Sequence, residues 1–192
     1  MLMSVIPAPA GCAGSASARP SIAAAWRALA TVPDPEIPVV SVIELGIVRG
    51  VEWGVDAPAT LIVTVTPTYS GCPATEVIMA SIQAALGAAG IESVRLETQL
   101  SPAWTTDWIT PAGKRKLREF GIAPPDGTRA ASTFASIDVA GISPLRRSRI
   151  AVACPRCGSI ATRLLSQFGS TACKAHYRCV DCLEPFDYFK PH

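Results

Sequence analysis

Histidine is nearly missing from this sequence: only His176 and His192 are present, and residues 1–175 contain none. A cysteine hydrolase needs a nearby base to activate its nucleophile, so most of the chain cannot form a Cys–His site. The sequence also lacks a Glu-x-x-His pair for a di-iron centre and a glycine-rich dinucleotide loop. These absences argue against acyl transfer and redox catalysis, and we expect a chain that is not catalytic by itself.

Long apolar runs and aromatic side chains are scarce as well. No apolar run approaches about 18 residues, the length that a membrane span needs, and aromatic residues make up only 6% of the chain. The N-terminus lacks the basic start of a signal peptide, so we expect a disordered tail over residues 1–20. The hydrophobic fraction of 49% nevertheless predicts a folded protein. We expect it to be cytoplasmic and to contact no membrane.

The charged residues are unevenly distributed. Residues 1–112 carry a net charge of −5 and residues 113–192 a net charge of +7, which together give +2. A basic C-terminal half could face an acidic protein, a nucleic acid or an anionic substrate such as a CoA ester. The simpler alternative is a pair of solvated faces on two modules. The overall charge of +2 predicts no polyanion partner.

Local sequence patterns predict a compact α+β domain over residues 21–125. Apolar residues at helical spacing, or in alternating and β-branched runs, give the order helix–strand–strand–helix–strand–helix. The predicted segments are helices over 20–31, 73–89 and 111–120 and strands over 39–48, 59–66 and 93–100. The last helix has Thr110 as its N-cap, Pro111 at its first position and Gly121 as its terminator. Residues 126–149 have the composition of a linker.

Four of the seven cysteines form two Cys-x-x-Cys pairs, CPRC at 154–157 and CVDC at 179–182. Each pair presents two thiolates from one tight turn, and two such turns complete a tetrahedral site. Zinc is the expected ion, and iron in a rubredoxin-like site is the alternative. Because protein ligands fill all four positions, the ion should be structural. We predict a zinc ribbon over residues 150–192 with the ligands Cys154, Cys157, Cys179 and Cys182.

Two further residues in the ribbon are alternative ligands. Cys173 precedes the second pair by six residues and His176 by three. Either could replace a paired cysteine, but the paired arrangement is simpler. A lone cysteine is more often a small buried hydrophobe.

Cys72 is the most informative cysteine of the first domain. It ends a strand–loop–helix passage, and Pro73 is expected at the first helical position. A helix N-terminus favours the thiolate, which is both a nucleophile and a metal ligand. The alternative is a buried cysteine that caps a turn. The nearest candidate acids, Asp34 and Glu36, are distant in sequence.

Several segments resemble known assembly factors. The segments DPEIPVVSVIELGIVRGV (34–51), TPTYSGCPAT (66–75) and PAWTTDWITPAGKRKLREFGIAPP (102–125) resemble the small domain of SufT-type iron–sulfur-cluster assembly and targeting factors. With QFGSTACKAHYRCVDCLEPFDYFK (167–190), they resemble the PaaD family. Members of that family are accessory subunits encoded with the multicomponent phenylacetyl-CoA 1,2-epoxidase. The resemblance runs from about residue 21 to the end of the chain.

The resemblance implies a maturation role in aerobic phenylacetate degradation. The chain would help to assemble or deliver an iron or iron–sulfur centre to the oxygenase or reductase. Cys72 and Asp34 match the motif of the family and would contact the iron or cluster transiently. The expected partners are other epoxidase subunits, and a homodimer is a further option. The alternatives are an integral non-redox subunit of the oxygenase and a zinc-ribbon module that binds nucleic acid; we expect no nucleic acid partner.

Overall fold

The computed structural model describes residues 19–57, 59–69, 71–125 and 151–191. The predicted linker and all but the last two residues of the predicted tail lie outside these ranges. None of the helices in the described ranges is long and apolar enough to cross a membrane. In chain order, the elements are α1 (Ile22–Ala30), β1 (Val48–Trp53), β2 (Leu61–Val65), α2 (Thr75–Ala88), β3 (Val94–Thr98), a 3-10 helix (Thr106–Trp108), α3 (Pro111–Phe120), β4 (Ile122–Ala123), β5 (Thr162–Ser166), β6 (Lys174–Cys179) and β7 (Pro185–Phe189).

The first domain is built on a three-stranded sheet in the order β1-β2-β3. β1 and β2 are antiparallel, whereas β2 and β3 are parallel and are joined through α2. A parallel pair needs such a crossover, because its strands cannot be joined by a tight hairpin. The central strand β2 turns Leu61, Val63 and Val65 into the core. This mixed sheet and its packed helices confirm the predicted α+β class.

Helix α3 follows its sequence signals closely. The Thr110 hydroxyl accepts a hydrogen bond from the Gly113 N–H at 3.0 Å, and Pro111 opens the helix. Gly121 ends it in the left-handed region at φ 96°, where a side chain would be strained. The predicted bounds of 111–120 are therefore confirmed.

The predicted strand over residues 39–48 is wrong. Residues 39–47 form successive turns, and β1 begins at Val48. Some backbone bonds in this segment are local, since the Leu45 N–H donates to the Ser41 carbonyl and the Gly46 N–H to the Ile43 carbonyl, while the Val42 N–H donates to the more distant Val32 carbonyl. Gly46 has a φ of 70°, and a Cβ there would lie 2.6 Å from the Trp108 Cβ. The apolar run is buried within a folded-back loop, so its composition reports burial and not strand conformation.

The ribbon forms a second, four-stranded sheet in the order β4-β7-β6-β5. β4 follows directly after α3, yet it pairs in parallel with β7 of the ribbon. Phe189 and Cys173 of the ribbon are buried in the main hydrophobic core. The ribbon and the α+β domain are thus joined by backbone hydrogen bonds and by a shared core.

Candidate functional site

The four paired cysteines converge at one end of the ribbon. Their Sγ atoms all lie within 4.8 Å of one another. Cys154 and Cys182 are 3.7 Å apart, and Cys157 and Cys179 are 3.6 Å apart. A zinc–sulfur bond of about 2.3 Å would place the sulfurs of a tetrahedral site about 3.8 Å apart. The four thiols therefore form a metal-binding group whose spacing fits zinc.

Backbone hydrogen bonds close both cysteine turns. The Gly158 N–H donates to the Cys154 carbonyl, and the Cys179 N–H donates to the Glu184 carbonyl, each at 2.9 Å. Gly158 and Leu183 both have positive φ, at 76° and 63°, which lets the chain reverse within each turn. N–H groups of the second turn, at Cys182 and Asp181, lower the pKa of Cys179 to about 7. The second turn thus favours the thiolate at Cys179, the form of cysteine that binds a metal.

Neither alternative ligand belongs to this group. The His176 Nδ1 lies 3.2 Å from an Asp187 carboxylate oxygen, in a pair between β6 and β7. Cys173 lies on the side of the ribbon that faces the α+β domain, where it is only 6% exposed. The paired arrangement is the one that the structure brings together.

A second set of reactive side chains lines a cavity between the α+β domain and the ribbon. We call it the Cys72 cavity. It is bordered by Asp34, Glu36 and Cys72 from the α+β domain and by Cys173 and Phe189 from the ribbon. Most of the remaining wall is apolar and includes Ile37, Leu45, Ile47, Val65 and Ile78. The cavity has a volume of about 20 Å³, which is room for one water molecule or one bare ion.

A tight turn before α2 positions Cys72. The Cys72 N–H donates to the Tyr69 carbonyl, and the Cys72 carbonyl accepts from the Thr75 N–H, each at 3.2 Å. The helix begins at Thr75 behind the N-cap residue Ala74, so the predicted start at Pro73 is two residues too early. Cys72 therefore lies in the turn that leads into the helix, half-buried at the wall of the cavity.

Asp34 is held by the main chain of its own loop. One carboxylate oxygen accepts hydrogen bonds from the N–H groups of Glu36 and Ile37, at 2.9 and 2.8 Å. This turn is typical of aspartate. Burial raises the pKa of Asp34, against the two N–H bonds and the nearby positive charge of Lys174. The carboxylate is thus fixed at the cavity by a loop that sequence reasoning could not connect to Cys72.

Cys173 comes to the cavity from the ribbon. Burial raises the pKa of its thiol, while the Thr171 hydroxyl, 3.0 Å from Sγ, and the charge of Lys174 oppose that effect. Lys174 is itself buried, with 4% exposure. The pKa of Tyr69 is raised by desolvation and then by the neighbouring Cys72, Cys173 and Glu36. Both thiols, one from each domain, therefore act on the Tyr69 phenol.

Two family models match separate parts of the chain. Residues 22–96 match the family described as iron–sulfur cluster assembly protein. Residues 141–190 match the family described as PaaD zinc beta ribbon domain. The first match contains Asp34 and Cys72, and the second contains Cys173 and all four paired cysteines.

One relative matches over nearly its whole length. It is an Escherichia coli K12 protein whose name describes it as a putative component of 1,2-phenylacetyl-CoA epoxidase. The two sequences are 46% identical over 173 residues, which span 90% of this chain and 94% of the relative. The match therefore includes both domains.

Solved structures match only in part. A domain of unknown function, DUF59, from Bacillus anthracis has a TM-score of 0.44 at 24% identity, covering 48% of this chain and 87% of its own. A conserved hypothetical protein from Thermotoga maritima has the same TM-score and identity, with coverages of 52% and 95%. At these TM-scores neither likeness supports a conclusion about function.

Proposed function

This chain belongs to the PaaD family, and on that premise we propose that it is a maturation subunit of a phenylacetyl-CoA ring 1,2-epoxidase complex. In aerobic phenylacetate degradation it takes up iron, alone or as a cluster, in the Cys72 cavity. It then passes this cargo to the oxygenase or the reductase. The observation that carries the proposal is the convergence of Cys72 and Asp34 within the segment that matches an iron–sulfur assembly family.

The chemistry of the Cys72 cavity supports a transient iron site. Thiolate and carboxylate groups are both ligands that iron accepts in proteins. Cys72 is half-buried, and so is Glu36, so a partner can approach the cargo. The four-cysteine group, by contrast, offers no open position, and we assign it a structural zinc. Cargo binding and folding are therefore divided between two sites.

The exposed apolar side chains of the ribbon support a docking role. Most of the large apolar side chains that are exposed among the described residues belong to the ribbon: Ile160, Leu164, Leu165, Phe168, Val180 and Leu183. A groove in the ribbon is lined by Val180 and Leu183 together with Arg163 and Arg178. A cluster of exposed apolar side chains is typical of a protein interface. The partner that fits is another protein of the epoxidase complex, with an apolar patch and acidic residues at its rim.

The nucleic-acid alternative is less well supported. Tyr177 stacks on Phe186 at a centroid distance of 5.9 Å and meets Tyr188 edge-on at 5.6 Å. These rings pack on one another in the core of the ribbon and cannot serve as platforms for bases. The basic side chains of the groove are accordingly assigned to a protein partner.

The Cys72→Ala variant tests the maturation role. A strain that carries it should fail to grow on phenylacetate, and the epoxidase subunits purified from it should be short of iron or cluster. Adding iron and sulfide to those subunits in vitro should restore ring epoxidation without this chain. Cys12→Ala is the matched control, because it removes a thiol outside the matched segments and should leave growth unchanged.

Two outcomes would contradict the proposal. Normal growth of the Cys72→Ala strain would remove the role of that thiol. If the reconstituted subunits still required stoichiometric amounts of this chain for turnover, the chain would be an integral subunit of the oxygenase.

A further inference from the structure

Two arginines lie directly opposite each other in the sheet of the ribbon. Arg163 of β5 and Arg178 of β6 are partners in the antiparallel register, and both are exposed. Side chains of directly opposite residues lie on the same face of a sheet, with Cβ atoms about 5 Å apart, and like charges in such a pair are destabilising. Both side chains line the groove that also contains Val180 and Leu183, which we call the arginine groove. The ribbon therefore holds two positive charges together at one groove.

The carboxylates of the described residues do not neutralise this pair. Within the described ranges, no carboxylate oxygen lies within 4 Å of a nitrogen of either guanidinium group. The Arg178 Nε–H donates to the Leu183 carbonyl at 3.1 Å, which uses one of its five donors, and the Arg163 side chain donates to none of the described residues. The three acidic residues of the described part of the ribbon have other contacts: Asp181 with Ser159, Glu184 with Arg156, and Asp187 with His176 and Ser170.

The zinc group is a further source of negative charge near the groove. Four thiolates and a Zn²⁺ ion together carry two net negative charges, and Cys179 lines the groove. Within the described part of the ribbon, however, neither guanidinium group donates a hydrogen bond to a cysteine sulfur. The two arginines therefore remain able to bind an anion from outside the chain.

Leu183 adds a strained apolar side chain to the same groove. The two cysteine turns are equivalent, since Gly158 follows Cys157 at φ 76° and Leu183 follows Cys182 at φ 63°. Glycine adopts this conformation without steric cost, whereas a leucine is strained in it. The Leu183 side chain is nevertheless 59% exposed, so that burial does not compensate the strain. Strained residues are common at binding sites, and the choice of leucine points to a ligand that covers it.

The size of the arginine groove favours a peptide segment over a substrate molecule. Its volume is about 240 Å³, which is below the roughly 300–1,000 Å³ of pockets that bury a drug-sized ligand. A coenzyme A ester is larger than such a ligand and would remain mostly outside. One or two side chains of a protein segment fit this volume.

We propose that Arg163 and Arg178 bind an acidic side chain of an epoxidase subunit, whose adjacent apolar side chain packs on Val180 and Leu183. A carboxylate between two guanidinium groups accepts charge-assisted hydrogen bonds, which are roughly twice as strong as neutral ones. It also removes the repulsion between the two arginines. This inference rests on the proposed function, because the groove belongs to the ribbon surface assigned to docking, and it names the contact that selects the partner.

Affinity and stability should change independently in a variant of the arginine groove. The full chain, loaded with zinc, is immobilised, and purified oxygenase and reductase subunits are passed over it at about 0.15 M salt. Arg163→Gln should weaken binding about tenfold or more, because arginines often carry much of the energy of an interface. Its thermal midpoint should equal that of the wild type or exceed it by up to about 3 °C, since one member of a repelling pair is removed.

Two further variants and a control define the contact. Arg163→Lys should bind with intermediate affinity, because it keeps the charge but loses the planar fork of donors. Leu183→Gly copies the first cysteine turn and should also weaken binding, without loss of zinc or of thermal stability. The control Arg95→Gln removes an exposed arginine from β3 and should bind like the wild type.

Several outcomes would overturn the inference. Wild-type affinity of Arg163→Gln would do so, and so would loss of zinc from that variant, because the pair would then serve the metal. Displacement of the subunits by phenylacetyl-CoA or by a single-stranded oligonucleotide would assign the groove to a phosphate ligand instead. If Arg163→Gln retains the subunits while Cys72→Ala still abolishes growth, the inference fails and the proposed function stands. If the wild-type chain binds none of the subunits, the inference and the docking role fail together.

Discussion

Trp104 and Phe189 meet across the junction of the two domains, with ring centroids 5.9 Å apart and planes inclined by 47°. Trp104 is 3% exposed and Phe189 is 1% exposed, so their contact lies in the interior. Phe189 also lines the Cys72 cavity, together with Cys72 and Cys173. Stability at this junction and the shape of the Cys72 cavity should therefore change together.

Truncation of the junction ring should cost much of the stability of the protein. Phe189→Ala should lower the free energy of unfolding by about 3–5 kcal/mol, because it leaves a cavity in a fully buried core. Zinc should remain, since Phe189 is not part of the four-cysteine group. Urea denaturation with parallel zinc analysis measures both. Phe168→Ala is the control: Phe168 is 67% exposed, and a change within about 0.5 kcal/mol is expected. Equal effects of the two variants would show that the junction is not packed as described.

The four-cysteine group should determine whether the ribbon folds. Cys154→Ser should lose the metal and unfold the ribbon, because the binding energy of a structural zinc, roughly 10 kcal/mol or more, is also folding energy. Mass spectrometry of the intact protein reports the metal, and amide exchange reports the fold of residues 151–191. Cys173→Ser should keep the zinc. An unchanged metal content in Cys154→Ser would refute the assignment, whereas iron in place of zinc would change only the identity of the ion.

The hydrogen-bonded ion pair of Glu44 should make the free energy of unfolding depend on pH. One of its carboxylate oxygens accepts from the Ser41 N–H, and both lie within 3 Å of the Lys116 ammonium. Burial raises the pKa of Glu44, but the bonds from Lys116 and Ser41 outweigh burial, and the pKa lies below its usual value. A carboxyl group whose pKa is lowered by folding stabilises the folded protein at pH values above its pKa in the unfolded chain, which is about 4.3. That contribution is lost as the pH falls through the folded value.

Glu44→Gln should therefore lower the free energy of unfolding by roughly 1 kcal/mol at pH 7, since Lys116 is about half exposed. The difference from the wild type should shrink below a pH of about 4. Urea unfolding of both chains at each pH measures this difference. Acid also weakens zinc binding, but it does so equally in the two chains, so that this effect cancels in the difference. The exposed Glu92→Gln is the control and should show no such dependence. A difference that stays constant down to pH 3 would contradict the assignment.

The exposed apolar side chains of the ribbon should bind the epoxidase partner. Leu165→Glu places a charge among the exposed apolar side chains and should weaken co-purification of the epoxidase subunits about tenfold or more, while zinc and fold are retained. The control Val77→Glu makes the same change on α2, where Val77 is 53% exposed. Retention of partners by Leu165→Glu, or equal losses in both variants, would exclude the surface around Leu165 as the docking surface.

Features that depend on interactions between residues close in sequence could be predicted from the sequence. Helix α3 could be bounded because Thr110 and Gly121 act within a few residues of themselves. The four-cysteine group could be predicted because its spacing is a property of two short turns. The strand predicted over 39–48 failed because a largely buried loop and a buried strand have the same apolar composition.

The Cys72 cavity could not be predicted from the sequence. The placement of Cys72 and Cys173 at one cavity depends on the pairing of β4 with β7 and on the Trp104–Phe189 contact, which join distant segments. No local pattern encodes either interaction. One signal was present, because Cys173 is the ribbon cysteine left over after the two pairs are formed.

The pairing of β4 with β7 has a consequence for the order of events on the ribosome. β4 emerges directly after α3, but its partner strand is synthesised only after β5, β6 and both cysteine turns. Until β7 arrives, the cavity lacks Phe189, and Cys173 lacks its tie to Lys190. A nascent chain would therefore present Cys72 without its ribbon wall. The Cys72 cavity is therefore completed only after the ribbon has folded, so that the two cysteine turns are made before the cavity closes.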